Sequence, residues 1–159
     1  AIMGTEYTFE NVSLVAQALS DHLKNDFTKQ SITRPPRVAI GFDYRKDSEN
    51  FARTIAEIMV GNQIQVYLSS AACPTPAVSF AIVDEKFDSG VIVTASHNPA
   101  GYNGFKIKTG RADQGSLAGG SIHGRGGLSW AELRRSACRS GITRATRFHV
   151  AGSRGFARC

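Results

Sequence analysis

Three short apolar runs constrain this chain most: Val38-Ala39-Ile40-Gly41-Phe42, Ile64-Gln65-Val66-Tyr67-Leu68 and Gly90-Val91-Ile92-Val93-Thr94. The first and third are apolar nearly throughout, as strands buried on both faces are. The segments between them keep a different period. Phe51, Ala52, Ile55, Ile58 and Met59 follow one helical face, and Val78, Ala81 and Ile82 follow another, with Glu85 at its margin. Upstream, Val12, Val15, Ala16, Leu19 and Leu23 form a third stripe, on a helix expected to end near Lys24. Strands alternating with helices predict a three-layer α/β/α sandwich with a mostly parallel mixed sheet.

Punctuation residues place the element ends. Thr8 is an N-cap candidate with Glu10 in the first turn. Asp47 or Ser48 caps the second helix, and Gly61-Asn62 ends it. In Pro74-Thr75-Pro76, Thr75 is expected as N-cap and Pro76 as the first helical residue. A last strand is expected over Gly104-Phe105-Lys106-Ile107-Lys108. Ligands of such sheets sit beyond the carboxyl ends of the strands. Asp43-Tyr44-Arg45 and Ser96-His97-Asn98-Pro99 follow two of those ends and are expected on one edge.

Charge divides the chain near Thr109-Gly110. Residues 1–109 carry ten Lys and Arg against eleven acids, whereas 110–159 carry nine Arg, no Lys and two acids. Ten of the sixteen glycines also follow residue 109. Residues 1–109 are therefore read as the folded domain. Residues 110–159 are read as an irregular Arg/Gly-rich tail, a frame-shifted or foreign extension with too few large apolar residues to offset its ordering entropy. Trp130 with Arg134-Arg135 and the Arg144 to Arg147 stretch gives a rival reading, a basic nucleic-acid-binding module. A non-catalytic fragment is the other rival.

No apolar run is long enough to span a bilayer. The first residues show no basic-then-apolar signal pattern, and the chain reads as starting partway into a longer sequence. Cys73, Cys138 and Cys159 are odd in number and fit no metal-ligand spacing, which suits free thiols in a cytoplasmic protein. Cys73 is expected to be a packed residue, and His22 a surface residue near a helix C-terminus. His123 and His149 lie in the tail without partners at ligand spacing. Asp84, Glu85 and Asp88 look like a solvated helix end.

The run Thr94-Ala95-Ser96-His97-Asn98-Pro99-Ala100-Gly101-Tyr102-Asn103-Gly104-Phe105-Lys106 concentrates a hydroxyl, an imidazole, amides and an ammonium in one loop. Pro99 fixes its backbone, and Gly101 and Gly104 free it. As residues alone it reads as a polar turn or as a phosphate-carrying loop. A phosphate on Ser96 would bring a charge of about −1.5 to −2 and three acceptors. His97, Lys106 and backbone N–H groups could serve it.

This run resembles the phosphoserine-loop signature of the α-D-phosphohexomutases. Gly41-Phe42-Asp43-Tyr44-Arg45 is similar to the family's G-x-D-x-R turn, Pro74-Thr75-Pro76 to its P-T-P segment, and Tyr7-Thr8-Phe9-Glu10-Asn11-Val12 to the start of its first long helix. The resemblance covers residues 1 to about 109, in the family's order, and is to the first domain. It implies interconversion of hexose 1-phosphate and 6-phosphate through a phosphoserine at Ser96. Glucose 1,6-bisphosphate would be the activator, and Mg²⁺ would sit on the serine's phosphate. It further implies Lys106 as general acid/base, His97 as a substrate-side contact, and Arg45, Asn98 and Asn103 as substrate or loop support. The Phe9-Glu10-Asn11-Val12 opening and the Thr-Ala-Ser form of the signature favour a phosphoglucomutase over a phosphomannomutase. The family's upstream Gly-Thr-x-Gly-x-Arg loop, its acidic metal loop and its sugar-choosing and phosphate-gripping loops have no counterpart here. The second to fourth domains are thus expected elsewhere, and the chain alone is expected to be inactive.

Overall fold

The computed structural model describes residues 1–109 and 148–150. Helices α1 (Phe9–Lys29), α2 (Ser48–Gly61) and α3 (Thr75–Asp84) alternate with strands β1 (Arg37–Phe42), β2 (Gln65–Ser69) and β3 (Ser89–Val93). Strands β4 (Phe105–Thr109) and β5 (Phe148–Val150) follow. The sheet order is β4-β3-β1-β2-β5. β1 is parallel to β2 and to β3, whereas β4 and β5 run antiparallel to β3 and β2. The chain leaves β1 for β2 on one side and returns to β3 on the other, so the strand order reverses at β1.

The apolar runs serve two cores because successive strand residues point to opposite faces. Val38, Ile40, Phe42, Val66, Val91 and Val93 join Val12, Leu19, Leu23, Phe51, Ile55 and Met59 beneath α1 and α2. Ala39 and Ile92 face the other way and meet Cys73, Val78, Ala81, Ile82 and Phe87 around α3. Gly41 lets α3 come close: a Cβ there would lie 2.5 Å from Val78 Cγ2 and 2.8 Å from Cys73 Sγ. These are the three layers expected.

Several local expectations are corrected. α1 runs past Lys24 to Lys29, because buried Phe27 extends its apolar stripe by one turn. Val15 is off that stripe and 43% exposed, since it is turned about 100° from Ala16. His22 is exposed but stands two turns before the end of α1, too far to feel the C-terminal carbonyls. Asp47 stands at the cap position of α2 in the left-handed region, with no side-chain cap bond. Pro74, not Thr75, caps α3, and Pro76 falls within its first turn, where a missing N–H costs nothing. Asp88 is not solvated. Its carboxylate takes two bonds from Arg34 at 2.7 Å and one from the Arg37 N–H at 2.8 Å, tying the segment before β1 to the one before β3.

Of the tail, β5 forms a short strand on the edge of β2 within the stretch expected to be irregular. An edge strand offers unpaired groups for such an addition. The side chains of Cys138, Cys159, His123, His149 and Trp130 and the arginine clusters lie outside the described residues. So do the readings of 110–159 as a foreign extension or a nucleic-acid module. Among the described residues, no helix is long and apolar enough to cross a membrane.

Candidate active site

The reversal of strand order at β1 opens a crevice beyond the carboxyl ends of β1 and β3. Phe42 and Val93 are in register there, and the Asp43 N–H donates to the Val93 carbonyl at 3.1 Å. The turn after β1 and the loop after β3 therefore share one edge, as expected.

Arg45 joins them. Its two terminal nitrogens donate to four carbonyls of the loop: Ser96 at 2.8 Å, Asn98 at 2.6 Å, Pro99 at 2.8 Å and Tyr102 at 3.2 Å. Its Nε faces Asp43 Oδ2 at 3.3 Å. The loop curls around one guanidinium, whose rigid fork suits several acceptors at once. Asn98 turns inward, its amide donating to the Ala95 carbonyl at 3.0 Å. Asn103 is fully buried, donates to Ser48 Oγ at 2.9 Å, and accepts from the Gly104 N–H at 2.9 Å. Asn103 is closed to solvent, whereas Asn98 is exposed on the loop surface.

Ser96 stands at the exposed tip with φ 54, and its N–H donates to Thr94 Oγ1 at 3.0 Å. The left-handed residue of the loop is this serine, whereas Gly101 and Gly104 keep ordinary φ. Gly104 is needed for a different reason: a Cβ there would lie 2.9 Å from the Thr94 carbonyl oxygen. Lys106, one residue into β4, donates from its ammonium to Ser96 Oγ. The structure thus brings Ser96, Lys106 and Arg45 together. His97 is exposed on the loop, and no bond or ion pair ties its ring to them. Sequence reasoning missed Ser48 as a member of this region. Its buried hydroxyl donates to Asp43 Oδ1 at 2.8 Å, and its place in a capping position hid that use.

An open depression of about 510 Å³ lies between the two loops, walled by Asp43, Tyr44, Arg45, Lys46, Asn98 and Ala100. That volume is in the range of small-molecule clefts. Nearby, Tyr7 is buried with its hydroxyl unpartnered, and burial plus the Asp43 charge raise its pKa. Burial likewise pushes the Cys73 thiol up, as a packed residue's should be. The donor set does not fit a divalent cation by itself. The side chains that donate to Ser96 are cationic, Asp43 is already committed, and no group of three or more His, Cys, Asp or Glu is assembled among the described residues.

Residues 1–117 match the model of a family described as "Phosphoglucomutase/phosphomannomutase, alpha/beta/alpha domain I". The chain belongs to that family. The "Probable phosphomannomutase" of Haemophilus influenzae is 41% identical over 104 residues, covering 65% of this chain and 20% of that protein. The "Phosphoglucomutase" of Staphylococcus aureus is 41% identical over 75 residues, covering 47% and 14%. A crystal structure described as a "putative phosphomannomutase", from Thermus thermophilus, superposes with a TM-score of 0.64 at 32% identity, over 69% of this chain and 24% of that one. The chain therefore spans a quarter or less of the length of these phosphohexomutase relatives. Relatives bearing both names match at 41% identity.

Proposed function

We propose that this chain is the phosphoserine domain of a hexose-phosphate mutase, with Ser96 carrying the phosphoryl group. The contact between the Lys106 ammonium and Ser96 Oγ carries the reading. Phosphoryl transfer asks a protein for positioning and charge neutralisation more than for covalent chemistry. When phosphoserine gives its phosphoryl group to a hydroxyl of a hexose monophosphate, the P–Oγ bond breaks and negative charge gathers on Oγ. Lys106 stands where it can neutralise that charge and hand Oγ a proton. The sugar hydroxyl passes its proton to solvent as its oxygen bonds phosphorus, giving a hexose bisphosphate. After reorientation the other phosphate returns to Ser96, Lys106 takes the Oγ proton back, and the sugar oxygen released takes a proton from solvent. The net change is a 1-phosphate to 6-phosphate interconversion.

Ser96 suits this role because it is exposed on a loop whose backbone Arg45 holds. His97 stands free beside it to meet the sugar phosphate. Glucose 1,6-bisphosphate is the natural primer, since it can donate its phosphoryl group to an unmodified Ser96. The Mg²⁺ generally used by the family would find, among the described residues, only the phosphoserine oxygens, and another domain would supply the remaining ligands. A hexose-phosphate substrate suits a cytoplasmic protein, and nucleic acid has no part in this account.

The test is to incubate the full-length mutase that contains this domain with glucose 1,6-bisphosphate and Mg²⁺, then map the phosphopeptide by mass spectrometry. Phosphate on Ser96, lost in Ser96→Ala, is the expected result. Phosphate on Thr94 or Thr75 and never on Ser96 would defeat the assignment.

A further inference from the structure

Two polar side chains in this region are completely buried. Ser48, the first residue of α2, and Asn103, just before β4, are both 0% exposed. A buried polar group costs free energy unless it is hydrogen-bonded. Both are bonded, and their bonds form a closed circuit. Asn103 Nδ2 donates to Ser48 Oγ at 2.9 Å, and the Ser48 hydroxyl donates to Asp43 Oδ1 at 2.8 Å. Asp43 Oδ1 also accepts the Arg45 N–H at 3.0 Å, and its Oδ2 faces Arg45 Nε at 3.3 Å. Arg45 then reaches the carbonyls of Ser96, Asn98, Pro99 and Tyr102. Tyr102 is the chain neighbour of Asn103, and the circuit closes.

The donors settle what Arg45 does in this circuit. A guanidinium has five N–H groups and no acceptor. Four are spent on loop carbonyls and the fifth faces Asp43, so none remains for a phosphate. Its positive charge is partly offset by the adjacent Asp43 carboxylate. Arg45 therefore acts on the shape of the loop, and the cation at the Ser96 side chain is Lys106.

The direction of the bonds is equally determined. Asn103 Oδ1 is occupied by the Gly104 N–H, so its amide nitrogen must face Ser48. Ser48 Oγ accepts there, so its own proton goes to Asp43. Asp43 accepts only, and its two oxygens fix the plane and tilt of Arg45.

We propose that Ser48 and Asn103 are positioning residues for Ser96: through Asp43 they aim Arg45 at the loop carbonyls, and so hold Oγ against Lys106. The proposal rests on the reading of Ser96 as the phosphoserine. It assigns a part in that site to two residues with no access to substrate.

The test uses this chain with phosphoserine incorporated in place of Ser96, titrated by ³¹P NMR. A free phosphoserine loses its second proton near pH 6. With an ammonium held against it, the phosphate should titrate below that value in the otherwise unchanged chain. In Ser48→Ala, and in Arg45→Lys, which keeps the charge but not the fork, the titration should return toward about 6. Ile55→Val, which trims the core without touching the circuit, controls for general loosening and should leave it low. Should Ser48→Ala not fold, Arg45→Lys and the exposed-loop readout still decide, because Arg45 lines the open depression and lies outside both apolar cores. A low titration unchanged in the folded Ser48→Ala and Arg45→Lys chains overturns the positioning role alone. An ordinary titration near 6 in the starting chain overturns the phosphoserine site itself.

Discussion

Gly104 and Thr94 face each other so closely that their backbones leave no space for a methyl group. The Thr94 N–H donates to the Gly104 carbonyl at 2.9 Å, and the Thr94 carbonyl would sit 2.9 Å from a Cβ on Gly104. Neither side can yield without breaking the start of the hairpin. Gly104→Ala should therefore cost about 1–3 kcal/mol, by the usual scale of overpacking. Urea denaturation measures this, and an unchanged midpoint would show that the loop is softer than it looks. Two buried acids give the domain a second residue-level property. The Cys73 thiol and the Tyr7 phenol both have raised pKa values, chiefly through burial. A raised acid holds its proton longer in the folded state than in the unfolded one. Its contribution to stability is complete below the unfolded pKa and fades as pH climbs toward the folded one. Stability should thus start to fall above about pH 8.5 through Cys73 and further above about pH 10 through Tyr7. Thermal melts between pH 7 and 11 would show both steps. Cys73→Ala should remove the first, and a first step that survives it would exclude Cys73 as its source.

At the scale of elements, the ends of the sheet away from the site are held by one carboxylate. Asp88 joins the segment before β1 to the segment before β3 through Arg34 and the Arg37 N–H. Arg34 is half-exposed, so its ion pair adds little. The Arg37 N–H is partly buried and would be left unpaired. Asp88→Ala should accordingly cost about 1–2 kcal/mol, and Arg34→Ala clearly less. Equal losses in chemical denaturation would mean that the ion pair, not the backbone bond, matters. Asp88 also marks where a reading of the sequence stops. The buried strands, the helical stripes and the meeting of two loops on one edge were all legible, because they follow from apolar period and strand direction. Thr8 was legible as a cap, and its side chain does accept from the Asn11 N–H. Ser48 and Asp88 were not, because a short polar residue at a helix end has a solvated or capping role by default. Only the tertiary approach of distant segments gives it another. Phe27 was left off the helix and Val15 put on its buried stripe for a simpler reason. A 21-residue helix drifts from a four-residue count, and its last turn lay beyond the stripe that was counted.

For the whole molecule, the sheet edge offers, among the described residues, a serine, one ammonium at its hydroxyl and a well-held loop, against a phosphate that carries up to about two negative charges. The chain spans 20% of its Haemophilus relative and 14% of its Staphylococcus one. On the proposed mechanism, the isolated chain should show no mutase turnover in a coupled glucose-6-phosphate assay with Mg²⁺ and glucose 1,6-bisphosphate. Losing electrostatic stabilisation of this kind typically costs several kcal/mol in the barrier. Robust turnover by the purified chain would place the missing neutralising groups within it. The arrangement of strands has a consequence of another sort, for how the molecule forms. β1 can find β2 or β3 only after a helix has crossed between them, so the parallel pairs are slow to nucleate. β3 and β4 are joined by the serine loop alone and pair through Val93 and Phe105. The serine loop is thus also the closure of the most local strand pair in the sheet. Whatever tightens it lowers the entropy cost of the first long-lived contacts. Selection for a rigid phosphoryl carrier would then have favoured rapid folding as well, and substitutions that loosen the loop should slow refolding more than they hasten unfolding.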